Sequence, residues 1–263
     1  MKPPSKTLHS VATLLYAFLY APIVVVVVSS FNAGRHGAGW QGFTLEWYRS
    51  LADNRLALEA AQNTVVLSLG STFLATLLGT MLGYALSRYD FPGRQWLSRF
   101  LQLPVFLPDI VLAVSLLLFF SILRQWLGLF QLGLATMVAA HVTLQIPFVA
   151  IVVRSRLAGL DPSLEEAAHD LGANAWQTFW RVTFPLMLPG VAAGAMLAFT
   201  LSLDDFVVSF FTSGPGSTTL PILIYSSVKR GLTPDINALS SLIVLASLLA
   251  TVCVMLLQRK PEG

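Results

Sequence analysis

Apolar residues along this chain gather into six long runs, and polar and charged residues collect in the gaps between them. The runs cover 8–31, 59–86, 100–123, 133–153, 190–211 and 236–257. About 20 apolar residues in a row suffice to cross the hydrocarbon core as a helix. A helix also satisfies its own backbone groups where no water is present. The pattern therefore predicts an all-α, polytopic membrane protein with six transmembrane helices. The first run is too long for a signal-peptide core and ends in no clear small-residue cleavage site, so it reads as a retained anchor interrupted by Ala21-Pro22. No soluble domain is expected at either end, and residues 1–263 read as one transmembrane domain.

Two gaps on one side carry weaker helical patterns. Residues 44–51 (TLEWYRSL) fit a short amphipathic helix, with Trp40, Trp47 and Tyr48 suited to the headgroup zone. Residues 212–235 open with a turn-rich TSGPGSTT, and LPILIYSSVKRG then gives a second short amphipathic helix. Thr233 and Pro234 fit the cap and first position of the last span. Small residues line one face of two spans: Ser68, Thr72, Ala75, Gly79 and Gly83 in the second, Gly190, Gly194 and Ala198 in the fifth. Such stripes let helices approach closely. The neighbour is either another span of the same chain or a second membrane subunit.

Composition agrees: 55% of residues are hydrophobic and only 11% are charged. The basic residues choose a side. With the N-terminus inside, the inner segments hold ten (Lys2, Lys6, Arg88, Arg94, Arg99, Arg154, Arg156, Arg181, Arg259, Lys260) against six outside (Arg35, Arg49, Arg55, Arg124, Lys229, Arg230). That bias places both termini in the cytoplasm. No Lys/Arg block points to nucleic acid, and the single Cys253 allows no internal disulfide. There is no GxxxxGK[ST] phosphate loop, HExxH or GxSxG. His141 and Gln145, one turn apart in the fourth span, fit hydrogen bonding between helices. His169 reads as a solvated loop residue.

Charge is concentrated in the inner loop 154–189, which contains EEAAHDLG. Asp161 fits a helix cap with Pro162 after it, and Glu165 and Glu166 lie near the positive end of the helix dipole. Leu164, Ala168 and Leu171 share a face, Gly172 ends the helix, and Asn174 fits the cap of a second one. So short a helix is marginal alone in water. Either it lies on this protein's own inner surface or it docks on a partner.

Glu166-Ala167-Ala168, three residues, Gly172, nine residues, Val182, one residue, then Phe184-Pro185 resembles the EAA loop of ABC importer permeases. Val182 and Phe184 depart from the family's Ile and Leu, apolar for apolar. The resemblance implies a type I ABC importer permease-like fold. Glu165, Glu166, Ala167, Ala168 and Gly172 would then form the surface that couples to a separate ATPase. It further implies a second, similar permease subunit, two copies of the ATPase, a periplasmic solute-binding protein and a place in the bacterial inner membrane. This chain would hold no cofactor, since ATP and Mg would sit on the ATPase.

A second set of charges lies inside the spans: Asp109 after Pro104 and Pro108, and Asp204-Asp205 within LSLDDFVVSFF. A carboxylate near the bilayer centre costs roughly 2.5–3.5 kcal/mol on insertion scales, so these should avoid lipid. Asp109 is either the cap of a helix broken at Pro108 or part of a route. Asp204 and Asp205 are either a structural pair or a cation route, where Phe206 and its aromatic neighbours could add cation–π contacts. PDIVLAVSLLLFF, AFTLSLDDFVVSFFTSGPG and INALSSLIVL resemble permeases of spermidine/putrescine importers, as do SFN and WQGFTLEWY near the first span. TTLPILIYSSVKRG is closer to the putrescine type. Permeases for aminoethylphosphonate, opines or iron share much of this pattern. Two other classes remain: an ion-coupled secondary transporter, which leaves the loop unexplained, and a membrane scaffold, which leaves the aspartates unexplained.

Overall fold

The computed structural model describes residues 6–34, 39–161, 163–231 and 234–258. Pro162 and Thr233, named above at helix starts, lie outside them, as do Lys2, Arg35, Arg259 and Lys260. All described secondary structure is helical apart from one isolated bridge, Asn32 to Phe43. Five helices are long and apolar enough to cross a membrane: 8–29, 55–88, 109–127, 134–158 and 175–204. A shorter apolar stretch, 234–248, belongs to the last helix. The chain divides into two compact units, residues 1–58 with 223–263, and residues 59–222.

In the first unit, α1 (Lys6–Ser29) and α2 (Glu46–Asp53) both pack on α13 (Pro234–Gln258). Of the two expected amphipathic helices, the first is α2 and the second is α12 (Leu220–Arg230). In α2, Leu51 is buried while Glu46 and Arg49 face out. Polar caps and ring stacking fold it back on the end of α1. The Trp47 indole N–H donates to the Asn32 carbonyl at 2.8 Å, and the Ser30 and Tyr48 hydroxyls meet at 2.6 Å. Phe31 stacks on Phe43, and its ring centre lies 5.3 Å from that of Tyr48.

The second unit is built around α7 (Leu134–Ala158), which buries residues on all sides, from Met137 through His141, Gln145 and Val149 to Leu157. A helix apolar all round belongs in the middle of a packed bundle. Both small-residue stripes face it. A Cβ on Gly79 would lie 2.7 Å from Val149 Cβ, and one on Gly83 would lie 2.7 Å from the Ala150 carbonyl oxygen. These glycines belong to α3 (Arg55–Arg88). From α10 (Phe184–Asp204), Gly190 meets Arg156 and Gly194 meets Val149 in the same way. The stripes therefore serve packing within the chain at these four glycines. α6 (Asp109–Leu127) and α11 (Val207–Thr212) close the other side around Ala113, Phe120, Ala140, Leu144 and Val208.

Three expected boundaries move. The third span runs over 109–127 rather than 100–123, because Pro104 and Pro108 divide the segment before it into α4 (Arg94–Phe100) and α5 (Leu103–Phe106). Pro108 is extended (ψ 134°), so Asp109 is the first helical residue and caps nothing. The loop expected over 154–189 shrinks to 159–174 with a short helix inside it, since α7 reaches Ala158 and the next helix starts at Ala175. The fifth span runs over 175–204 rather than 190–211, as α9 (Ala175–Thr178), a π turn (Phe179–Thr183) and α10. The π turn has a cause: Pro185 has no N–H to give the preceding turn, and the Phe184 N–H reaches back to Phe179, an i→i−5 bond.

A methyl at Gly83 would press on a backbone carbonyl that cannot swing away. Gly83→Ala should destabilise the purified protein by roughly 1–3 kcal/mol, as overpacking does. Gly70→Ala, whose new methyl would have only Val138 Cγ2 at 3.9 Å, should melt like the parent. Equal thermal midpoints for the two variants would show that α3 does not pack on α7 at this distance.

Candidate functional site

Two groups of polar residues stand out in the second unit. The first is the short helix α8 (Ser163–Asp170) and its attachments. Asp161 Oδ1 accepts the Ser163 N–H at 3.0 Å, which starts the helix and holds that carboxyl below the usual carboxylate range. At the other end Gly172 is left-handed (φ +83°), the Ala173 N–H bonds to Ala168 and the Gly172 N–H to His169. This is the Schellman arrangement, which a glycine adopts without strain. Asn174 and Gln177 then cap the next helix reciprocally, at 2.9 and 3.0 Å. Helix, glycine and second cap sit where the spacing placed them.

The two glutamates part company. Glu166, Ala167, Leu171 and Gly172 are exposed, Leu171 at 89%. Glu165 is turned into the protein. Its Oε1 lies 2.9 Å from Arg88 Nη2 and accepts the Thr183 hydroxyl at 2.8 Å. Arg88 is the last residue of α3, and Thr183 closes the π turn. One carboxylate oxygen thus pins α8 both to the last residue of the second span and to the π turn of the fifth. Sequence reasoning placed Glu165 with the exposed residues and used Arg88 only to orient the chain. Their separation in sequence hid the pair.

The second group lies where the fifth helix ends. Asp205 is extended (ψ 120°), and its carboxylate accepts the N–H groups of Val208 and Ser209 at 3.3 and 2.7 Å. It is the cap of α11, so the two aspartates stand at a helix break rather than inside a continuous span. His141 faces the break from α7. Its Nε2 lies 3.4 Å from Asp205 Oδ2 and 3.0 Å from Ser209 Oγ, and its Nδ1 lies 2.8 Å from Ser202 Oγ. Ser202 meets Ser71 of α3 at 3.1 Å, and Gln145 donates to Ser71 at 3.2 Å. His141, Gln145, Ser71, Ser202 and Ser209 are fully or almost fully buried. The polar pair expected in the fourth span does bridge helices, and it joins four of them. The serines carried no signal in the sequence, since serine is common in packed membrane helices.

The remaining predicted residues are more open. The Asp205 side chain is 10% exposed, whereas Asp204 next to it is exposed. Phe206 is half-buried, with its ring 5.4 Å from Phe210. Asp109 is exposed at the start of α6. The structure brings Asp204, Asp205 and Phe206 together at the break and leaves α8 as a separate surface.

Residues 75–260 match the family described as binding-protein-dependent transport system inner membrane component. The spermidine/putrescine transport system permease protein PotC of Escherichia coli K12 is 43% identical over 252 residues, 95% of this chain and 94% of that protein. The putrescine transport system permease protein PotI of the same strain is 40% identical over 231 residues, 87% of this chain and 82% of that protein. Among solved structures, a bacterial ABC transporter involved in the import of alginate superposes with a TM-score of 0.74 at 20% identity. It covers 95% of this chain and 92% of its own, so the fold is shared. The chain therefore belongs to the inner-membrane components of binding-protein-dependent transport systems: it is a multi-pass, non-catalytic permease subunit of an ABC importer, which works with an ATPase and a solute-binding protein.

Proposed function

We propose that this permease imports polyamines, putrescine or spermidine, as one half of a translocation pathway. It pairs with a second, homologous permease subunit, two copies of an ATPase and a periplasmic polyamine-binding protein. Both termini face the cytoplasm. The observation that carries the substrate is the 43% identity to a spermidine/putrescine permease along 95% of the chain.

The coupling surface is the exposed side of α8, where Glu166 reaches a basic group of the ATPase and Ala167, Ala168 and Gly172 let the two surfaces close up. A charge-assisted hydrogen bond of this kind is among the stronger polar contacts. Motion of α8 then reaches the spans through Glu165, because Arg88 and Thr183 hold the same carboxylate from two long helices. On the route itself, Asp204 is the carboxylate offered to a passing ammonium group, with Phe206 beside it and Asp109 as a further candidate. Asp205 keeps the break in place through His141 and the α11 backbone, so it positions Asp204 without meeting the substrate.

Labelled putrescine uptake, in cells lacking other polyamine importers and expressing the complex with and without this subunit, tests the substrate. Uptake that requires the subunit and is competed by spermidine is the expected result. An assembled, ATP-hydrolysing complex that takes up neither compound would retain the importer and remove the polyamine. Glu166→Lys should leave assembly in the membrane intact while ATP hydrolysis no longer drives uptake; normal uptake would remove Glu166 from the docking surface. For the internal link, Arg88→Glu and Glu165→Arg should each lower uptake, and the double exchange should restore part of it. A double-mutant cycle on thermal midpoints should give an interaction energy of roughly 0.5–3 kcal/mol, and additive losses would dissolve the link. Asp204→Asn should reduce uptake roughly tenfold, equivalent to about 1.4 kcal/mol, with an unchanged midpoint. Asp205→Asn should lower the midpoint as well. The reverse pattern would exchange the two roles.

A further inference from the structure

The connection between the second and third spans lies outside the docking surface and the route proposed above. It surrounds a cavity of about 800 Å³ whose lining includes Asp90, Arg94, Trp96, Ser98, Arg99 and Arg154. Arg94 and Arg99 stand at the two ends of α4, and Arg154 comes from the inner end of α7. Three guanidinium groups therefore border one space, with Asp90 as the sole carboxylate in its lining.

Their existing partners leave most of their donors unused. Arg94 Nε donates to the Leu86 carbonyl at 3.1 Å, and its Nη1 pairs with Asp90. Arg154 Nη1 donates to Ser98 Oγ at 2.7 Å. The Arg99 guanidinium lies over the Trp96 ring, 5.7 Å from its centre. A guanidinium carries five N–H donors in a planar fork that matches two oxygens of a phosphate. An excess of positive charge with spare donors around one space is the chemistry that holds a phosphate ester.

The surface beside the cavity indicates which phosphate. Trp96 is 66% exposed, Phe100 60% and Phe106 80%, and Leu97 and Leu103 are exposed between them. A soluble anion or an acidic protein segment has no use for that much apolar surface. The boundary between headgroups and acyl chains does, and tryptophan is enriched there. Basic pockets beside transmembrane helices on the cytoplasmic side suit anionic headgroups.

We propose that the cavity between α4 and the inner end of α7 binds the phosphate headgroup of an anionic phospholipid. Arg94, Arg99 and Arg154 hold the phosphate, while Trp96, Phe100 and Phe106 lie in the acyl boundary. This rests on the inner-membrane location and on the orientation proposed above, and it is independent of the transported substrate.

The test uses the whole complex in nanodiscs of phosphatidylcholine, alone or with phosphatidylglycerol added. Thermal midpoint is read together with the phosphatidylglycerol retained through purification, measured by mass spectrometry. The parent complex should retain phosphatidylglycerol and melt higher when it is present. Arg94→Gln/Arg99→Gln/Arg154→Gln should lose both effects while keeping its ATPase. Arg99→Gln alone breaks no described hydrogen bond. It should reduce retention roughly fivefold, the attraction of one basic residue to an anionic surface, and it decides the matter if the triple variant fails to assemble. Glycerol phosphate added to phosphatidylcholine discs should not raise the midpoint. Three results would overturn the proposal: unchanged retention in the variants, a full shift with glycerol phosphate alone (a soluble-anion site), or loss of the ATPase with lipid retained (a protein contact). No readout involves polyamine, so failure here and failure of the substrate assignment are separate events.

Discussion

The contact between α7 and the glycine faces of α3 and α10 sets the geometry of the second unit. Between helices in lipid there is little hydrophobic drive, so association depends on van der Waals contact and hydrogen bonds at short range. Gly79 and Gly83 on one side and Gly190 and Gly194 on the other bring backbone against α7 where any Cβ would crowd it. That closeness brings Ser71 and Ser202 within reach of Gln145 and His141. The buried polar chain is thus a product of the packing, and it makes the packing specific: a slip of one residue would leave a buried imidazole without partners, which is costly in a low-dielectric interior.

The same helices carry the consequence to both ends of the unit. At one end, the His141 network holds the carboxylate that ends α10 and starts α11, so the break at Asp205 is a fixed joint with Asp204 presented beside it. At the other end, α3 finishes at Arg88 and the fifth span carries, after its first turn, a π turn ending at Thr183, and both residues meet Glu165. Single-turn π segments are frequent at functional sites because they offset a helix without breaking it. Here the offset puts the Thr183 hydroxyl on the Glu165 carboxylate of α8. α8 is thereby tied to two long helices, α3 and the fifth span, that both pack on α7.

Much of this was legible in the chain. Long apolar runs must be helices in lipid, so the helical class and the approximate positions of the spans follow from hydropathy alone. Gly172, Asn174 and Asp161 act where they stand because caps and left-handed turns are local, decided within a few residues. The spacing from Glu166 to Pro185 was enough to point to the importer family. Boundaries near proline and aspartate were misplaced: hydropathy over 100–123 and 190–211 does not register that Pro108 cannot continue a helix or that Asp205 will cap a new one.

What the sequence determined by itself was the local grammar: which segments are apolar, where helices can start and stop, and which loop carries charge. The tertiary structure alone decided which of two adjacent acids does what. Glu165 and Glu166 are chemically alike, as are Asp204 and Asp205; helix geometry turns the first pair about 100° apart, and the break at Asp205 parts the second. Only the placement of Arg88, Thr183 and His141, from 18 to 77 residues away in the chain, turns one member of each pair inward and leaves the other exposed. Partners so far apart in sequence meet only through packing, and the packing here is set by four glycines whose contact surface exists only in the folded bundle.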